Sequence, residues 1–173
     1  EAKRRSLTVC NAQDIFSISV AEDALTKIFV LNRNVRHYAE KMNQKEWSPI
    51  REEPELTGST VGILGTGSIG RELAKRLKGF KTKVLGYART SRTIPDFDRI
   101  LTGEKGLEEL LRESDYVILA LPLTKDTQQL IDARKLSLMK TTALLINVAR
   151  GEIVDQEALI EVLKSGGIRG AGL

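Results

Sequence analysis

The 173-residue chain is predicted to fold as an α/β domain built on a doubly wound parallel sheet. Two observations predict it. From Thr60 onward, short apolar runs of strand length alternate with amphipathic segments at helical period. Those runs are apolar at nearly every position, as strands covered on both faces require. Right-handed crossovers between parallel strands then select the doubly wound topology. Composition agrees, because 41% apolar and 29% charged residues suit a packed core and exclude disorder.

Residues 1–19 read as a hinge-like lead-in, and the dense charge run there, Lys3 to Arg5, reads as an exposed terminal cluster. One long helix is predicted over 20–44. Ala24, Ile28, Leu31, Val35, Tyr38 and Met42 recur at steps of four and three, and Leu25 and Phe29 widen that stripe. A stripe this wide suits either packing within the chain or a subunit interface. The stretch 48–56 breaks the period with two prolines and reads as a connection. Residues 60–65 form the first strand, and Ile69, Leu73, Leu77 and Phe80 stripe the helix that follows. Residues 83–88 form the second strand. A polar loop containing Pro95 and Gly103 leads to an amphipathic helix in "GLEELLRESD". Residues 116–122 and 143–149 are further strands, with a short helix between them at 132–139. Asp155 caps a helix striped by Ala158, Leu159, Val162 and Leu163, which Gly166 and Gly167 stop. The closing "GIRGAGL" reads as a strand just begun, so the chain is expected to be part of a longer protein with its sheet core at 60–173.

Gly65, Gly67 and Gly70 make a G-x-G-x-x-G between strand and helix. The first glycine permits a tight turn, the second lets phosphates approach the backbone, and the third lets the helix pack closely on the strand. The amides of Ser68, Ile69 and Gly70, with the helix dipole behind them, favour an anion. In this strand–helix setting the motif points to a dinucleotide. The end of the second strand discriminates between dinucleotides, since NAD calls for an acidic residue about 20 positions on. Here that position is Ala88, followed by Arg89, Thr90, Ser91 and Arg92. No carboxylate there repels a 2′-phosphate, and two guanidiniums and two hydroxyls suit one. NADP(H) is therefore favoured over NAD(H); the competing reading makes Arg89 and Arg92 solvated loop charges.

Other classes find little support. The net charge of +4 is spread along the chain and marks no nucleic-acid surface. No apolar run reaches the roughly 20 residues of a membrane span. Cys10 is the only cysteine, which excludes an internal disulfide and favours a reducing, cytoplasmic compartment.

Five linked segments carry a family resemblance: "VAED" at the start of the long helix, "VGILGTGSIGRELAKRLKGF", "ESDYVILALPLTKDT", "LINVARGEIVD" and "ALIEVLKSGGIRGAGL". From Val9 to Leu173 the chain resembles the D-isomer-specific 2-hydroxyacid dehydrogenases, which include phosphoglycerate dehydrogenase and the glyoxylate/hydroxypyruvate reductases. The resemblance implies the Rossmann-type cofactor domain of a two-domain oxidoreductase that moves hydride between NAD(P)H and a small 2-oxo or 2-hydroxy acid. It places Ser68 and Ile69 at the pyrophosphate, and Leu121 and Pro122 over the adenosine side with Thr127 in the same loop. Val148, Ala149 and Arg150 fall beside the nicotinamide. Arg150 is the implied catalytic residue of this chain, since its planar fork of donors matches a carboxylate. A local pairing with Glu152 or Asp155 is the alternative use of that side chain.

The family's proton-donating histidine and its glutamate partner are implied to lie past Leu173, together with the substrate domain. His37, the only histidine, falls in the long helix and reads as solvated. The chain by itself is accordingly expected to bind dinucleotide without turnover. The resemblance also implies a homodimer, with helix residues near Asn32 to Trp47 in the interface. Two departures from the family pattern stand out. Thr141 and Thr142 replace a usual Pro-Gly turn, and the loop "RTIPDFDRILTGEK" differs near the adenosine. A different class on the same fold, a corepressor-like module that senses nicotinamide dinucleotide, is separated from the enzyme by whether that histidine and glutamate exist.

Overall fold

The apolar runs become strands because each has a helix to cover it on either side. The computed structural model describes residues 4, 5, 7, 8 and 14–173. Its strands are β1 (Thr60–Leu64), β2 (Lys83–Tyr87), β3 (Arg99–Leu101), β4 (Tyr116–Leu119), β5 (Leu144–Asn147) and β6 (Gly170–Gly172). They form one sheet in the order β3-β2-β1-β4-β5-β6, with every neighbouring pair parallel. The helices are α1 (Ser17–Asn32), α2 (Val35–Asn43), α3 (Ser68–Lys78), α4 (Gly103–Glu113), α5 (Ala133–Leu136) and α6 (Gln156–Lys164). The doubly wound expectation holds, including the terminal strand begun at Gly170.

Alternation along each strand divides the core into two layers. Val61, Ile63, Val84, Ile118 and Ile146 face Ala24 and Ile28 of α1 and Leu73 and Leu77 of α3. Leu64, Leu85, Val117, Leu119 and Leu145 face Leu107, Leu110 and Leu111 of α4, Leu136 of α5 and Leu159 of α6. Full burial of each such leucine or isoleucine contributes about 1.5–3 kcal/mol, and both sheet faces collect it.

Polar ties hold the amino edge of the sheet. Asp115 accepts from the Thr60 N–H at 2.8 Å and from Lys140 Nζ at 2.7 Å, so one carboxylate gathers the starts of β1 and β4. The Asn32 side chain, 1% exposed, donates to the Tyr116 hydroxyl at 2.8 Å and accepts from Arg169 Nη2 at 2.8 Å. That tie pins the end of α1 to β4 and to the residue before β6.

Three sequence expectations are corrected. The single helix over 20–44 is two helices, because Asn34 adopts a left-handed conformation (φ +46°) and ends the first. Glu53 stabilises the break by accepting from Asn34 Nδ2 at 3.3 Å and from Arg33 Nη1 at 3.4 Å. Asn34 first, then Tyr38 and Arg33, hold the Glu53 carboxyl below its ordinary value. The supposed loop after β2 contains β3, an edge strand registered Leu85 to Arg99 and Tyr87 to Leu101. His37 is half-buried rather than solvated, with Nε2 3.2 Å from the Ser48 carbonyl. Expectations resting on Lys3, Val9 and Cys10 lie outside the described residues, while Arg4 and Arg5 are exposed. Among the described residues no helix is long and apolar enough to cross a membrane.

Asp98 joins α3 to β2. Both its oxygens accept from Lys78 Nζ, at 2.8 and 2.6 Å, and one also accepts from the Val84 N–H at 2.7 Å. Burial pushes its carboxyl up, but the Lys78 and Val84 donors outweigh that and hold it below its ordinary value of 3.8. A depressed carboxylate contributes stability above its unfolded value and loses it as pH falls through the folded one. Asp98→Asn should lower stability by about 1 kcal/mol at neutral pH, the scale of a partly solvated charged hydrogen bond. The deficit should shrink as pH drops below 3.8, read from urea midpoints across a pH series.

Candidate functional site at the carboxyl edge of the sheet

The sequence-predicted site residues lie in the loops that leave the carboxyl ends of β1, β2, β4 and β5, or, for Ser68, Ile69 and Gly70, in the first turn of α3 that follows the β1 loop. These strands are lateral neighbours, with Leu64 paired to both Tyr87 and Leu119, and Leu119 paired to Asn147. The four loops therefore share one rim about 14 Å wide, three strand spacings.

The glycine loop follows β1. Gly65 has φ +110°, and its N–H donates to the Tyr87 carbonyl at 3.1 Å. A Cβ on Gly65 would lie 2.5 Å from the Ala120 carbonyl oxygen, and one on Gly70 would lie 2.0 Å from the Gly65 carbonyl oxygen. The first and third glycines thus let three backbone segments touch: the end of β1, the end of β4 and the first turn of α3. Gly67, the N-cap of α3, is different, because nothing in the chain lies within 4 Å of its Cβ position. The N–H groups of Ser68, Ile69 and Gly70 meet no protein acceptor among the described residues. Bare amides at a helix N-terminus, facing open space where a side chain is absent, fit a diphosphate.

The β2 loop carries Arg89, Thr90, Ser91 and Arg92, all exposed. Neither arginine has a carboxylate partner among the described residues, whereas Arg76, Arg99, Arg112 and Arg134 are each paired to glutamate. Arg71, in the first turn of α3, is also exposed and unpaired there, and the sequence reading omitted it. Tyr87 closes β2 beneath this loop. Burial, and behind it the charge of Glu104, raises its phenol above the ordinary value, so it stays neutral.

The β4 loop runs over Leu121, half-buried against the core, and the exposed Pro122. Thr127 works within the loop: its hydroxyl donates to the Pro122 carbonyl at 2.7 Å and accepts from the Thr124 N–H at 2.7 Å. Its geometry is that of a residue shaping the loop.

After β5 come Val148 and Ala149, half-buried, and then Arg150, exposed. Arg150 Nη1 donates to the Ala149 carbonyl at 2.8 Å, and the guanidinium meets no carboxylate among the described residues. Asp155 is instead the N-cap of α6, accepting from the Ala158 N–H at 3.1 Å. Arg150 borders a cavity of about 290 Å³ with Asn147, Gly151, Val154 and Leu159. Asn147, 9% exposed, bridges the Arg150 turn through both ends of its carboxamide. Sequence reasoning missed it, although a polar residue ending an apolar strand is a readable signal.

A 3-2-1-4-5-6 parallel sheet with a glycine-rich turn at its switch point, beside a free guanidinium, defines a dinucleotide-binding domain of the dehydrogenase type. The particular family follows from comparison: residues 25–173 match the D-isomer specific 2-hydroxyacid dehydrogenase, NAD binding domain, and the chain belongs to that family. A glyoxylate reductase of Thermococcus gammatolerans is 43% identical to it, the match covering 100% of this chain and 54% of that protein. An acyclic imino acid reductase solved in complex with NADPH and D-Arg superposes with a TM-score of 0.91 at 32% identity, over 99% of this chain and 55% of the other. The D-lactate dehydrogenase of Lactobacillus jensenii, solved with NAD+, gives 0.86 at 32% identity, over 99% and 52%. The chain spans about half the length of these relatives.

The glycines separate packing from binding. Gly70→Ala should destabilise the domain by about 1–3 kcal/mol, because its methyl group meets rigid backbone. Gly67→Ala should leave the melting temperature within about 1 °C, since the space is open, yet weaken dinucleotide binding at least about tenfold by filling it. Thermal melts paired with cofactor titrations read both.

Proposed function

We propose that this chain is the cofactor half of an NADPH-dependent reductase of small 2-oxo acids, which yields D-2-hydroxy acids. The observation that carries the reading is Arg150: a guanidinium without a carboxylate partner among the described residues, at the carboxyl end of β5, on the rim that bears the glycine loop. A planar fork of N–H donors recognises a carboxylate in two places and can reach an adjacent carbonyl oxygen. The bound dinucleotide supplies hydride. The chain's own part is to hold the diphosphate on the amides of Ser68, Ile69 and Gly70, and to hold the acid and polarise its carbonyl with Arg150. On this reading the proton donor comes from outside the 173 residues, because His37 follows Asn32 at the amino edge of the sheet, with its Nε2 at the Ser48 carbonyl.

The preference for NADPH rests on the β2 loop. Residues 88–92 hold two unpaired guanidiniums and no acid, the arrangement that accepts a 2′-phosphate and forgoes the ribose-binding carboxylate. A homodimer completes the reading. Helix α2 has no buried residue, and Met42 and Trp47 are 77% and 92% exposed, a surface that a second copy would cover.

Two outcomes are expected in the protein that carries this chain. Arg89→Asp should weaken NADPH at least about tenfold while changing NADH by less than about threefold, the scale of one charged phosphate contact. Equal losses in fluorescence titration would reverse the cofactor assignment. Trp47→Glu should shift the protein from dimer to monomer in sedimentation, and an unchanged mass would place the interface elsewhere.

A further inference from the structure

We infer that Asn147 is the positioning residue for the substrate-binding arginine, an inference that rests on the role proposed for Arg150. The ladder of β5 ends at Asn147, paired with Leu119, and the Val148 N–H makes the last bond to that strand at 3.2 Å. Beyond it the chain must turn out of the sheet and deliver Arg150 to the rim. Downstream the turn is anchored where Gln129 N–H donates to the Glu152 carbonyl at 2.7 Å and Ile131 N–H to the Ile153 carbonyl at 3.0 Å. Between those anchors the Asn147 carboxamide spans the turn. Its Oδ1 accepts from the Ala149 N–H at 3.0 Å, and its Nδ2 donates to the Arg150 carbonyl at 2.9 Å. The Ala149 N–H has no other acceptor among the described residues, so without Asn147 its direction is unset. The Ala149 carbonyl, on the peptide unit between those two bonds, receives Arg150 Nη1, so the backbone that Asn147 brackets is the one the guanidinium rests on.

The chemistry requires a short neutral carboxamide. Only that group donates at one end and accepts at the other from a side chain of this length. Aspartate keeps the acceptor for Ala149 but sets a carboxylate oxygen against the Arg150 carbonyl. It also adds a negative charge three residues from a guanidinium that has to stay free for the substrate's carboxylate. Serine is too short to span the turn. Asn147 therefore acts at the substrate end of the rim and not on the diphosphate, which is held two strands away and carries most of the dinucleotide's affinity.

The test is a double-mutant cycle in the full-length protein, with glyoxylate and hydroxypyruvate as substrates and NADPH as reductant. Asn147→Asp should raise KM for the oxo acid at least about tenfold and leave the dissociation constant for NADPH within about twofold. In an Arg150→Gln background the same substitution should change KM by less than about twofold, because its effect runs through the side chain already removed. Asn147→Ser, which loses the span without adding charge, repeats the cycle if the aspartate variant does not fold. Multiplicative effects of the two positions, or NADPH affinity falling in step with KM, would overturn the positioning role while leaving Arg150 in place. An unchanged KM in Arg150→Gln alone would remove the reaction reading itself, and this inference with it.

Discussion

Three backbone segments meet at the carboxyl end of β1, and everything else on the rim is arranged around that contact. Helix α3 can start against β1 only because Gly70 presents a bare Cα to the Gly65 carbonyl oxygen. The end of β4 can lie alongside only because Gly65 does the same for Ala120. A side chain at Gly70 forces the helix outward and moves the amides of Ser68 and Ile69 with it, and one at Gly65 forces the end of β4 away. Packing and ligand binding are the same constraint here, since the closeness that seals the core also aims the helix N-terminus at the rim.

The remaining loops inherit their places from strand order. With β2 on one side of β1 and β4 and β5 on the other, the cationic Arg89–Arg92 stretch and the Arg150 turn stand at opposite ends of the rim with the glycine loop between them. Local hydrogen bonds then shape each loop. Thr127 folds the β4 loop onto Pro122, and Asn147 spans the β5 turn. Arg89, Arg92 and Arg150 stand at this rim without carboxylate partners among the described residues, whereas Arg99 and Arg134 on the β2–β3–α4–α5 side are held by glutamates. Charge that could have been neutralised within the chain is left available where a doubly anionic ligand would enter.

Much of this could be read from the residues alone. Four of the six strands announced themselves as apolar runs, since burial on both faces leaves no polar alternation. The glycine spacing was equally visible, and Arg150 stood out, although a local pairing with Glu152 or Asp155 stayed open until the structure placed Asp155 as the cap of α6. What escaped has physical reasons. β3 is a three-residue edge strand with no fully buried residue, too short to carry a period. The break at Asn34 is invisible to periodicity, because one left-handed residue redirects the chain without disturbing the spacing of Leu31, Val35 and Tyr38. Asn147 was quoted within its motif but left without a role, because its work is done through backbone atoms that a sequence does not display.

Helix α1 runs antiparallel to the strands, for Asn32 sits by the starts of β4 and β6 while Lys27 lies against Gly172 at the finish of β6. At 16 residues it is about 24 Å long, so Ser17 reaches the rim that holds the ligand loops. Ser17, Ala21, Ala24 and Ile28 are buried along its length, so the helix is a strut clamped to the core from the amide–phenol–guanidinium tie at Asn32 up to that rim.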